Sequence, residues 1–206
     1  MSELTVGQLK GLTVNNNTIT VPSGHSLAVP TLKGDSSGTI TVPSGQKLYA
    51  PGSVVQVVTA TSGFTNQTIN SASPVALSGL SAIITPKFAN SRIFIEGVVT
   101  ASWTYVASIH IFKNGSDLIA NHGGNNQSGG ATALWTRWNS AQDTSDNQVW
   151  PLPVMYWDTP ATTSAITYDF RANAGWAGGS SAFYLNNRPN QDMLGSSYIK
   201  ITEIAQ

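Results

Sequence analysis

The sequence predicts an all-β protein: an antiparallel β-sandwich or jelly roll of about eight to ten strands, preceded by an extended N-terminal arm. Three observations predict it. Short runs rich in β-branched and aromatic residues recur from residue 53 onward, with Gly, Asn and Pro between them. Asn114-Gly115 separates two alternating apolar runs, and that pair is the preferred turn of a two-residue type I′ hairpin. Near the start, TITVPSGHSL (18–27) returns as TITVPSGQKL (39–48), with eight of ten letters matching at an offset of 21.

Two units follow from where the large side chains lie. Of the 18 aromatic residues only Tyr49 precedes residue 53, and all six Trp fall between Trp103 and Trp176. A packed core uses its large side chains, so residues 1–52 are read as an arm and 53–206 as the folded domain. In the arm, Thr18–Val21 and Thr39–Val42 alternate polar and apolar. Pro22-Ser23-Gly24 and Pro43-Ser44-Gly45 then supply turns, where glycine permits a tight backbone. One such unit buries too little to stand alone, since even an isolated hairpin is marginal in water. The missing burial must come from the domain or from other chains. Ile19, Val21, Pro22, Gly24 and Leu27, with their counterparts Ile40, Val42, Pro43, Gly45 and Leu48, are therefore the candidate contact residues of the arm.

Strands are expected at 53–61, 81–85, 92–103, 108–120 (as a hairpin), 148–157, 164–172, 182–187 and 197–205. Pro151 and Pro153 place the 148–157 strand at an edge or a bulge, because proline donates nothing to a ladder. No convincing helix is expected anywhere; the stretch PVALSGLSA (74–82) is the best candidate for a short turn of one. Two polar loops, 121–133 and 139–147, are expected at one end of the sandwich, free to carry recognition.

Composition narrows the function. Charged residues make up 10% of the 206 and balance to zero, against about 25% in ordinary domains. A neutral, charge-poor surface lacks the basic face that nucleic acids and anionic membranes need. There is no cysteine, hence no disulfide framework and no thiolate chemistry. The N-terminus has no basic region followed by an apolar run, so no signal peptide is expected.

No catalytic residue, cofactor or metal ligand is expected either. Sequence motifs for acyl transfer, zinc proteolysis and phosphate binding are missing. His110, between Ile109 and Ile111, reads as a half-buried or surface strand histidine. Glu96, Asp158 and Asp169 lie in or beside strands, where an acid/base pair would need them close together. Asp169 is expected to face away from Tyr168 and Phe170 and to share a face with Arg171, as a surface or inter-chain ion pair. Asp143 and Asp146 depart from the alternating pattern of calcium loops. The tryptophans read first as core or subunit interface. Their second reading is a sugar platform, with Trp135, Trp138, Trp176 and Tyr184 as candidate glycan contacts and Asn186 and Asn187 as amide partners.

Four stretches carry a family resemblance: GLSAIITPKFANSRIFIEGVV (79–99), IFKNGSDLI (111–119), WDTPATTSAITYDFRA (157–172) and SYIKITEIA (197–205). In this order they resemble virion structural proteins of tailed phages, particularly phages of cyanobacteria and marine bacteria. The resemblance implies a homotrimer located on the virion. Its partners would be the major capsid protein, for a decoration (cement) protein on the outside of the head, or host surface glycans, for a tail-fibre tip. It brings no catalytic motif. It gives the arm a role, since three arms wound together would bury what one cannot.

Overall fold

The computed structural model describes residues 50–104, 106–118, 135–138, 148–174, 182–189 and 192–206, with residues 106 and 135–138 described by backbone alone. These belong to one unit, Tyr49–Gln206. The arm repeats and the loops 121–133 and 139–147 lie outside the described residues.

Period-two alternation builds the strands. β1 (Val54–Gly63) turns Val58 and Ala60 onto the core and leaves Val57 and Thr59 exposed. β2 is short (Gln67–Ile69). β3 (Val75–Ile84) and β4 (Arg92–Trp103) are long. β5 (Val106–Lys113) and β6 (Ser116–Asp117) form the hairpin, and β7 is Trp135–Trp138. β8 (Trp150–Asp158), β9 (Ile166–Ala174), β10 (Phe183–Leu185) and β11 (Ser197–Ile204) complete eleven strands among the described residues, with no helix.

The strands pair antiparallel in two sheets. One has six strands in the order β1-β11-β4-β10-β2, with β8 on β4; the other has five in the order β3-β9-β5-β6, with β7 on β5. Ile93, Ile95, Val99, Ile199 and Ile201 of the first meet Leu80, Ile84, Ile109, Ile111 and Phe170 of the second in one buried core. Alternate apolar residues pointing inward from two facing sheets is the make-up of a β-sandwich. The chain enters and leaves the fold together: Gly52 N–H donates to Ala205 O (2.8 Å) and Ala205 N–H to Ser53 O (3.0 Å).

The hairpin forms as its sequence predicts. Asn114 (φ 49°) and Gly115 (φ 83°) both take the left-handed conformation that a type I′ turn demands. Asn114 also bridges to β9, accepting from Thr167 N–H at 2.9 Å through its side chain and donating its own N–H to Thr167 O at 2.9 Å. Gly115→Ala is expected to cost about 1 kcal/mol, from the left-handed penalty on a side chain; nothing stands within 4 Å of the new Cβ, so no clash adds to it. Chemical denaturation reads this directly, and an unchanged midpoint would contradict the turn assignment.

The candidate for a helical turn at 74–82 is corrected: this stretch lies in strand β3. Its register against β9 runs Ala76↔Arg171 and then Ser81↔Asp169, so five steps on β3 face two on β9. Gly79 (φ +77°) sits inside this bulge, and a Cβ there would lie 2.7 Å from the Ser62 Cα. The bulge turns both Leu77 and Leu80 inward, 2% and 0% exposed. A spacing of three between buried leucines imitates a helical face; a bulge produces it in a strand.

Two further strands, β2 and β7, were not expected, being three and four residues long. The edge position expected for residues 148–157 is found. β8 pairs only β4. Thr100, which faces Pro151 across that pair, donates its N–H to Ser197 Oγ at 2.8 Å and accepts at its carbonyl from the Asn186 N–H at 2.7 Å, both on the opposite side. The Thr100–Pro151 pair is therefore of the non-hydrogen-bonded kind. Pro151, and Pro153 two residues on, point their missing donors off the free edge, which blunts it against pairing with another chain.

Candidate interaction surface

The residues singled out from sequence fall in different places. The ten arm residues and Trp176 lie outside the described residues. Trp135 and Trp138 are the ends of β7 in the five-stranded sheet. Tyr184 is half-buried in β10 of the six-stranded sheet. Tyr184 is thus in a different sheet from the two tryptophans. Asn186 and Asn187 are not available to a sugar: they are 0% and 2% exposed. Asn186, at φ 58°, donates through its amide to Ser62 Oγ (2.7 Å) and Thr65 O (2.9 Å) and accepts from Ser197 Oγ (2.6 Å). It fastens the turn after β1 to β10 and β11. Asparagine suits both tasks, since it tolerates the left-handed region and carries a donor and an acceptor.

The carboxylates are likewise engaged in holding the fold. Asp158 accepts from Tyr168 Oη at 2.6 Å and pairs with Lys113 Nζ at 2.8 Å, joining β8 of one sheet to β9 and β5 of the other. Burial, and then the hydrogen bond to Asp158, push the Tyr168 hydroxyl far above its ordinary range, so it stays protonated and donating. Asp169 does pair with Arg171 (2.6 Å), as expected from their shared face, but it is buried at 7% exposure. The Arg171 guanidinium lies 3.9 Å from the Phe112 ring centroid. His110 is buried at 2% rather than at the surface, with its Nδ1 2.8 Å from Asp117 Oδ2. Glu96, Asp158 and Asp169 each have a different partner and form no acid/base pair. Among the described residues no group of three or more His, Asp or Glu could hold a metal ion. Asp143 and Asp146 lie outside them.

The surface that the sequence reading missed is the outer face of the six-stranded sheet. β8 has apolar residues on both its faces. Leu152 and Val154 are buried within, while Met155 and Trp157 point outward at 60% and 43% exposure. A strand with one buried face ordinarily alternates apolar with polar; the run PLPVMYW does not, and that was the available signal. Beside them β4 presents Phe94, stacked on Trp157 with centroids 4.5 Å apart, and Arg92, 4.5 Å over the same ring. β11 adds Tyr198 (44% exposed) and β1 adds Val57 (49%). At the centre of the face Lys200 Nζ meets Glu96 Oε1 at 2.7 Å. The Glu96 hydrogen bond raises the Lys200 ammonium above its ordinary range, and as a salt bridge of opposite charges the pair adds no net charge to the face. Rows across the strands β1, β11, β4 and β8 read Val57–Thr202–Phe94–Trp157 and Thr59–Lys200–Glu96–Met155.

No protein-family model matches the chain, and no curated protein sequence matches it. Among solved structures, the chain is similar to the tripod from the baseplate of bacteriophage Tuc2009, at 15% identity and a TM-score of 0.33, with 100% of each chain covered. It is also similar to the VP2 protein of infectious bursal disease virus, at 14% identity and a TM-score of 0.33, covering 90% of this chain and 44% of that one. A second VP2 structure, a subviral particle, gives 14% identity and a TM-score of 0.29.

Proposed function

We propose that this chain is a structural component of a virion: a homotrimeric decoration protein that binds the outside of a phage head and stabilises it. The observation that supports this reading is the uncovered face of the six-stranded sheet. Its outward aromatic and apolar side chains resemble the material of an interface, and patches of this kind mark contact sites. The polar groups inside the fold are spent on holding the sandwich, through Asn186, Asp158 and their partners. The sequence resemblance to phage virion β-sandwiches supplies the setting.

In this reading the arm repeats form the threefold contact, and the sandwich offers broad faces to neighbours. Stabilisation is additive. A standard interface buries on the order of 1,600 Å², and many copies on one shell multiply a modest local gain into a large resistance to internal pressure. The major capsid protein is the partner, and no chemical step is required.

The deciding measurement is the number of copies per purified virion, from quantitative mass spectrometry against the major capsid protein. Hundreds of copies are expected. A few to a few tens would remove the protein from the head and place it on the tail, as a receptor-binding tip with Trp135, Trp138, Trp176 and Tyr184 as its glycan candidates.

A further inference from the structure

We propose that the outer face of the six-stranded sheet pairs with the same face of a second copy of this chain, about a twofold axis that runs along the strands between β11 and β4. The proposal rests on the reading of that face as an assembly contact and names its occupant.

A copy is favoured by charge and by the fit of large residues over small ones. The central charges of the face are Lys200 on β11 and Glu96 on β4, neighbours at 2.7 Å. A twofold axis between those two strands exchanges their positions. It sets each Lys200 opposite the partner's Glu96 and each Glu96 opposite the partner's Lys200. Two ion pairs become a square of alternating sign, in which every charge has two opposite neighbours. A contact of this type is self-complementary, as an isologous interface requires. A partner with net charge of either sign would find no such match on a face whose central pair is already neutral.

The same axis lays the β8 edge of one copy over the β1 edge of the other. On β8 stand the large Trp157 and Met155, and on β1 the small Val57 and Thr59 in the same rows. Trp157 then covers the partner's Val57, and Met155 the partner's Thr59. Large residues over small ones let two sheet faces approach and interdigitate. The blunted edge at Pro151 and Pro153 steers association away from strand addition and toward the face. Four strands about 4.8 Å apart, with outward residues about 6.8 Å apart along each, give roughly 400 Å² of flat sheet per copy. That is below the roughly 800 Å² per partner of a standard interface. The pairing is therefore reversible, and its mass is read over a concentration series.

The test is sedimentation equilibrium on the full chain and on charge variants. Lys200→Glu sets four carboxylates together and is expected to halve the mass seen for the wild type. The exchanged variant, Glu96→Lys with Lys200→Glu, rebuilds the square with signs reversed and is expected to restore it. Met155→Glu, at an exposed site, should halve the mass by an independent route. A wild-type mass equal to that of Lys200→Glu overturns the proposal. So does loss of attachment to heads in these variants without a change of mass, which would give the face to the capsid. The copy number per virion is independent of this measurement, so the pairing and the virion reading can fail separately.

Discussion

Gly97→Ala is expected to destabilise the sandwich by about 3 kcal/mol or more, at the upper end of what overpacking a core costs. Gly97 lies on the inner face of β4, opposite Ile199 of β11 and Val154 of β8. A Cβ there would stand 2.2 Å from the Tyr198 carbonyl oxygen, 2.7 Å from Phe170 Cε2 and 3.2 Å from the Ile199 Cα. The two backbone obstacles belong to the central ladder of the sheet. They cannot withdraw without breaking it, whereas a ring edge can turn aside. The missing side chain thus lets Phe170, 0% exposed, pack down onto the neighbouring sheet. Urea denaturation measures the loss. The double variant Gly97→Ala with Phe170→Leu separates the causes: removing the ring should recover little, because the carbonyl remains. Full recovery in the double variant would show that the ring alone sets the requirement for glycine.

Glu203→Ala is expected to cost about 3–5 kcal/mol, because it leaves several buried neutral donors unmet at about 1–3 kcal/mol each, partly relieved by relaxation. Glu203 is 0% exposed on β11. Its Oε1 accepts from Lys87 N–H (2.7 Å), Phe88 N–H (3.3 Å) and Ser91 Oγ (2.6 Å), and its Oε2 accepts from Gln56 Nε2 (2.6 Å). Gln56 Nε2 also donates to Thr85 O at 2.7 Å. One carboxylate therefore fastens the 85–91 turn between β3 and β4 to the last strand and, through Gln56, to the first. Alanine leaves these donors buried and unmet, which costs more than the bonds themselves contribute. Glu203→Gln keeps one acceptor oxygen but turns an NH₂ toward Gln56. It should lose less, about 1–3 kcal/mol. Amide hydrogen exchange at Lys87 and Phe88 gives the local readout. Protection there should fall first, and undiminished protection in Glu203→Ala would remove the carboxylate from this role.

The two predictions concern stretches already visible in the sequence, ITPKFANSRIFIEG and YIKITEI, as parts of the virion resemblance. What those stretches do to one another was not visible. Lys87 and Glu203 are 116 positions apart, and no local pattern states that the one's amide meets the other's carboxylate. Asn186 is similar. Its type suited a sugar-binding amide as well as a buried hub, and only its surroundings, the Ser62, Thr65 and Ser197 groups, decide between them.

The sequence by itself determined what is local. Alternation set β1, β4, β8 and β11 close to their observed ends, Asn114-Gly115 set the hairpin, and Pro151 and Pro153 set an edge strand. Each depends on torsion angles and donors within a few residues, which the residue types fix. Tertiary structure alone decided the rest. β2 and β7 are too short to show a period and exist because β10 and β5 offer them an edge. β3 keeps its strand through a bulge at Gly79 because Leu77 and Leu80 both gain by facing the core. The apolar outer face is a property of four strands brought side by side. Val57, Lys200, Glu96 and Met155 are scattered over the chain, and only the register of the sheet collects them into one surface.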